Sequence, residues 1–186
     1  MKTLAALAFA AIVPIPEGWR AESFPFPLQF APNIPYEGEE LVRFAPEWSR
    51  FAAGNGFSYV FAWDVKAKPV APEDVEDYLE TYFDGLMKNV ARGRKLEIEP
   101  PRTAAALHPM TAVEGWTQAF GAEVRTWNAV SKGEPLVLNI EVTKRNCPEG
   151  RMLIFFALSK ATRDQPVWAS LREARNKASC AREAGT

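Results

Sequence analysis

The chain has 186 residues and a mass of 20.7 kDa, enough for one domain with a substantial core. Lys plus Arg total 22 against 23 for Asp plus Glu, so no single-signed field draws it to nucleic acid or to an anionic membrane. A hydrophobic fraction of 47% with 24% charged residues is that of an ordinary globular protein.

The N-terminus resembles a secretory signal. Lys2 supplies a small positive region, Leu4 to Val13 is an uncharged apolar run, and Ala8-Phe9-Ala10 forms an A-x-A site ahead of Pro14-Ile15-Pro16. The expectation is a signal segment over 1–11, a single α+β domain over 12–180 and a flexible tail over 181–186. The mature protein is then periplasmic or secreted. No later stretch approaches the roughly 18 uninterrupted apolar residues of a membrane helix, so no membrane span is expected.

Phe24, Phe26, Leu28 and Phe30 alternate with Pro25, Pro27 and Gln29, the pattern of an edge strand or extended segment. A second short extended piece runs from Glu40 to Phe44. After the turn-forming Gly54-Asn55-Gly56 comes the clearest early strand, Phe57 to Val65, with Phe57, Tyr59, Phe61, Trp63 and Val65 on one face and Ser58 and Asp64 on the other.

Ala71 to Gly93 carries the strongest helical signal. Val75, Tyr78, Leu79, Tyr82, Phe83, Leu86, Met87 and Val90 recur at spacings of three and four. Pro72 suits the first turn, Glu73, Asp74, Glu76 and Asp77 favour the positive end of the dipole, and Lys88 and Arg92 the negative end. Gly93 is the expected left-handed residue that closes the helix, which spans about 72–92.

Leu96 and Ile98 suggest a short strand stopped by Pro100-Pro101, and 102–111 reads as a proline-bounded loop. Trp116 to Val130 reads as a long strand with a bulge or bend at Gly121. Leu136, Leu138, Ile140 and Val142 alternate with polar residues, whereas Met152 to Leu158 is apolar on both faces, as in a central strand. The turn from Cys147 to Gly150 joins these two as a hairpin. Asp164 and Pro166 open a C-terminal helix over about 165–180, with Val167, Trp168, Leu171, Ala174 and Ala178 inward and Arg172, Arg175 and Lys177 outward. The fold class is therefore α+β: a largely antiparallel sheet, one long amphipathic helix packed across it, and a C-terminal helix.

In element order the region 19–180 resembles the PsbP-like fold of an extrinsic photosystem subunit and its relatives. That resemblance implies a non-catalytic accessory or binding role and transfers no individual residue.

The residues themselves offer little chemistry. His108 is the sole histidine, so a multi-histidine metal site is ruled out and any Ser-His-Asp or Cys-His arrangement must use it. It lies before Pro109, where a solvated side chain is the simpler expectation. No nucleotide, nucleophile-elbow or metal motif occurs, so no catalytic residue, metal or cofactor is assigned. Glu73, Asp74, Glu76, Asp77, Glu80 and Asp84 oppose the helix stripe and read as a solvated face, which makes Glu80 replaceable at little cost. Cys147 and Cys180 are either a disulfide in an oxidising compartment or two unpaired thiols. Of six tryptophans, Trp48, Trp63 and Trp127 are candidates to line a groove, with Trp127 facing outward in phase with Glu123 and Arg125 while Val124 and Thr126 face inward. The functional expectation is an exported binding or accessory protein for an unidentified protein partner or a small apolar ligand held between sheet and helix. The alternative is a cofactor-independent, hydrolase-like enzyme using acidic residues in that cleft.

Overall fold

The structure, a computed structural model, describes residues 11–51, 53, 56–97, 101–130 and 133–181. Seven strands form one antiparallel sheet: β1 (Arg20–Pro25), β2 (Gly38–Phe44), β3 (Tyr59–Lys66), β4 (Ala104–Pro109), β5 (Gln118–Asn128), β6 (Glu134–Cys147) and β7 (Arg151–Ser159). Their spatial order is β1-β2-β3-β7-β6-β5-β4, so the chain builds one half of the sheet, crosses through helix α1 (Pro72–Gly93), builds the other half inward, and ends in α2 (Val167–Lys177). The α+β class read from sequence is what forms.

Position in this order explains the composition of each strand. β3 and β7 are neighbours near the middle and are covered on both faces. Residues Tyr59, Phe61, Trp63 and Val65 of β3 meet α1, while Val60 and Ala62 meet α2. On the α1 side Phe61 stacks between Tyr82 and Phe156, with ring centroids 4.7 and 4.4 Å away. Phe83, at the centre of the helix stripe, is fully buried. On the other side Trp168, Leu171 and Ala174 of α2 pack on Leu153, Phe155 and Ala157. Val13 belongs to this second core, its carbonyl accepting from the Arg43 guanidinium at 2.9 Å, and the Ile12 carbonyl accepts from Ser179 N–H at 2.8 Å. Of the expected signal segment 1–11, residues 1–10 fall outside the described residues.

Several sequence expectations are corrected by tertiary contacts. Ala104–Pro109 is the edge strand β4 rather than a loop. Gly121 lies in unbroken register between His108 and Glu141, with no bulge. The His108 ring lies across it, and a Cβ there would come within 2.2 Å of Nε2 unless the exposed ring swung away. Gly93 stays helical and the left-handed residue is Lys95, at φ 55°. Leu96 and Glu97 are not in a strand, and Ile98 to Pro100 fall outside the described residues. Arg172 and Arg175 do not simply cover the outside of α2. Both donate to the buried Glu141 carboxylate of β6, at 2.6 and 2.9 Å.

The acidic face of α1 has a structural task. Glu76 Oε1 accepts from Leu107 N–H at 2.6 Å, Glu80 Oε1 from Ala105 N–H at 3.1 Å, and Asp84 Oδ1 from Thr103 N–H at 2.8 Å. Four helical residues rise about 6 Å and two strand residues about 6.7 Å, so an antiparallel helix can present a carboxylate to every outward amide of an edge strand. Three carboxylates thus occupy donors that would otherwise template pairing with another chain. At the opposite edge, β1 is short and ends at Pro25.

Cys147 and Cys180 form a disulfide. It ties the chain beyond α2 to the end of the β6–β7 hairpin, whose turn uses positive φ at Glu149 and Gly150. Arg151 reinforces the tie, donating to Asp64 and, at 2.7 Å, to the Cys180 carbonyl.

Candidate functional site

The α1 side of the sheet is not filled evenly. Beside β1, β2 and the C-terminal half of α1 it opens into a cleft of about 340 Å³, within the range of small-molecule sites. Period-two alternation puts Glu40, Val42 and Phe44 of β2 on its floor, with Tyr59 of β3 beside them. Tyr82, Leu86, Met87 and Val90 of α1, spaced by three and four, make one wall. Phe30, from the β1–β2 connection, and Trp48, Phe51 and Phe57, from the β2–β3 connection, make the others. Arg20, Glu22, Phe24 and Arg94 also line it, and Phe24 is exposed.

The wall from the β2–β3 connection is held by specific backbone geometry. Phe57 N–H donates to the Trp48 carbonyl at 2.8 Å, and Lys160 Nζ donates to the Phe51 carbonyl. The turn is tight enough that a Cβ on Gly56 would lie 2.4 Å from the Arg50 carbonyl oxygen. Glu47 and Phe57 both take left-handed backbone conformations, at φ 64° and 56°. For a bulky aromatic that costs on the order of 1–2 kcal/mol, recovered here because Phe57 is buried against Phe51, centroids 4.6 Å apart. On the opposite wall α1 comes so close to the β1–β2 connection that a Cβ on Gly85 would lie 1.8 Å from the Phe30 carbonyl oxygen.

The cleft contains one feature that apolar packing does not account for. Glu40 has no exposed surface, its Oε1 accepts from the Trp63 indole N–H at 3.2 Å, and its Oε2 has no hydrogen-bond partner. Burial pushes the carboxyl up from 4.5 to about 7, against the opposing influence of the Trp63 indole and the Tyr82 phenol. Burial, and secondarily the charge on Glu40, push the Tyr59 and Tyr82 hydroxyls far above the usual phenol range, so both stay neutral. At the mouth, Glu22 accepts from Arg20 at 2.8 Å. The Arg20 guanidinium lies over the Phe44 and Trp48 rings, 4.9 and 5.2 Å from their centroids.

The three tryptophans singled out in the sequence meet different fates. Trp48 lines the cleft. Trp63 is fully buried beneath it and reaches the site only through its bond to Glu40. Trp127 does not face outward: it is 1% exposed, belongs to the α1-side core and lines no part of the cleft. Glu40 escaped the sequence reading, yet it carried a signal, an acid in phase with Val42 and Phe44 on the apolar face of its strand. His108 is exposed on the edge strand, apart from the cleft, against Gly121. Among the described residues no group of three or more His, Cys, Asp or Glu could hold a metal ion, and no helix is long and apolar enough to cross a membrane.

A larger surface depression of about 770 Å³ lies between Ala45-Pro46 and the start of α2. The one ionisable side chain lining it, Lys160, is bound to Phe51, so the depression offers less chemistry than the aromatic cleft.

No protein family, no curated protein and no solved structure matches the chain.

Proposed function

We propose that this is an exported, non-catalytic binding protein that holds a small apolar ligand in the cleft between β1–β3 and α1. The carrying observation is a built aromatic cavity with one buried carboxyl at its floor. Apolar walls with few polar groups are the usual form of a ligand site, the polar group fixing orientation. Export is supported by the A-x-A site within the apolar run that starts at Leu4, by the disulfide, and by docking of Ile12 and Val13, just past the expected segment 1–11, into the fold. A binding role also agrees with what the PsbP-like element order implies.

One observation favours a second reading, a cofactor-independent enzyme. A carboxyl with a pKa of about 7 in a cleft is poised for general acid–base work. Against it, the other carboxylate lining the cleft, Glu22, is engaged with Arg20, so no free second acid stands ready to act with Glu40.

The test is equilibrium binding of a neutral fluorescent apolar probe, N-phenyl-1-naphthylamine, to the disulfide-intact protein. Saturable binding, lost when Leu86→Trp fills the cleft, is expected. A folded protein that leaves the probe's emission unchanged overturns the cleft as a binding site.

A further inference from the structure

The arrangement around Glu40 also narrows the ligand's chemistry. We infer that the cleft recognises an organic cation: an apolar body carrying a protonated amine that meets Glu40 Oε2. The inference rests on the cleft being the binding site.

Three observations converge on it. First, Glu40 lines the cavity, and its buried Oε2, on a carboxyl beside the Tyr82 phenol, meets no donor in hydrogen-bond geometry. A buried acceptor left unmade is costly, and a ligand N–H would complete it. Second, the surrounding surface is made of ring faces and edges, which attract cations through the aromatic quadrupole. The fold already uses this: the Arg20 guanidinium sits over Phe44 and Trp48 at the mouth. Third, the other charges lining the cleft lie at its mouth. Arg20 and Glu22 form an ion pair, and Arg94, exposed at the mouth, donates Nη1 to the Val130 carbonyl at 3.2 Å. Glu40 is therefore the one buried lining charge, placed to meet a ligand's head group at the floor. An anionic amphiphile would bring its carboxylate against that of Glu40, and a hydrocarbon would leave Oε2 unmade.

The titratable groups facing Glu40 are Tyr59 and Tyr82, which stay neutral, with Glu22, Arg20 and Arg94 at the mouth. Between pH 8 and pH 5.5 Glu40 is the deep group that takes up a proton, and an alkylamine stays protonated throughout. Amine binding should therefore weaken as pH falls, while alcohol binding should not.

Competition against N-phenyl-1-naphthylamine by decylamine, decanol and decanoate at pH 8 tests the inference. Decylamine should compete at least about tenfold more strongly than decanol, and decanoate least. In Glu40→Gln, folding confirmed by a thermal melt, the preference for amine over alcohol should vanish. In the unmodified protein the same preference should shrink several-fold on going to pH 5.5, which tests Glu40 without a substitution. If decanol or decanoate matches decylamine, or Glu40→Gln keeps the amine preference, the cation assignment is overturned and the cleft remains an apolar site. If none of the three displaces the probe, the cleft reading falls along with it.

Discussion

Removing Glu80 is the sharpest test of how α1 protects the sheet edge. Its carboxylate accepts from Ala105 N–H at 3.1 Å across the open side of β4. A hydrogen bond to a charged acceptor contributes about 1.5–3 kcal/mol when shielded. Glu80 is only half-buried, so water can replace part of the bond. We therefore expect Glu80→Ala to cost about 1–2 kcal/mol, against about 0.5 kcal/mol for an ordinary solvated helix position. The triple variant Glu76→Ala, Glu80→Ala, Asp84→Ala should cost about 3–5 kcal/mol, less than threefold additive scaling at its upper end because neighbouring bonds share one geometry. Chemical denaturation measures the loss. Residue-resolved amide exchange locates it: Thr103, Ala105 and Leu107 should exchange faster in the triple variant, while amides of β3 and β7 slow and quicken only with global stability. Freed edge amides should also raise concentration-dependent self-association. If Glu80→Ala leaves both stability and Ala105 protection unchanged, the carboxylates are bystanders and the edge is guarded some other way.

Gly85→Ala should destabilise by about 2 kcal/mol or more in thermal or chemical melts, although alanine favours helix, because its Cβ would collide with the Phe30 carbonyl. Glu40→Gln should stabilise the protein at pH 8 and do little at pH 4. The carboxyl sits at about 7 in the fold against 4.5 as its ordinary value, so its contribution is fully present below about pH 4.5 and lost as pH rises to about 7, a difference of about 3 kcal/mol. Stability curves of the two proteins that stay parallel from pH 4 to pH 8 would refute this. Reducing the Cys147–Cys180 bond, which closes a sequence separation of 33, should lower stability by about 3–4 kcal/mol on the chain-entropy account, measured as a shift in denaturation midpoint under reductant.

How much of this was legible in the sequence follows from the range of the forces involved. The apolar stripes of α1, α2, β3, β6 and β7 are local patterns of spacing and formed as such, although β6 also buries Glu141 and Thr143 on its polar face and α2 buries Arg175. Two-faced burial of Met152 to Leu158 correctly marked β7 as central, because only a strand covered by helices on both sides can be apolar throughout. The pattern of the chain thereby determined the α+β class and the general region between sheet and helix where a ligand site could form. What it could not determine were contacts between segments remote in sequence. The acids of α1 look solvated until β4 is laid beside them, and 104–109 looks like a loop because its alanines carry no strand signal of their own. Gly85 is fixed by a backbone atom remote in sequence, the Phe30 carbonyl, and the His108 ring of the neighbouring strand lies over Gly121. Glu40 is a strand acid whose phase with Val42 and Phe44 hints at burial, but only the aromatic segments that close over it remove its water and push its carboxyl up.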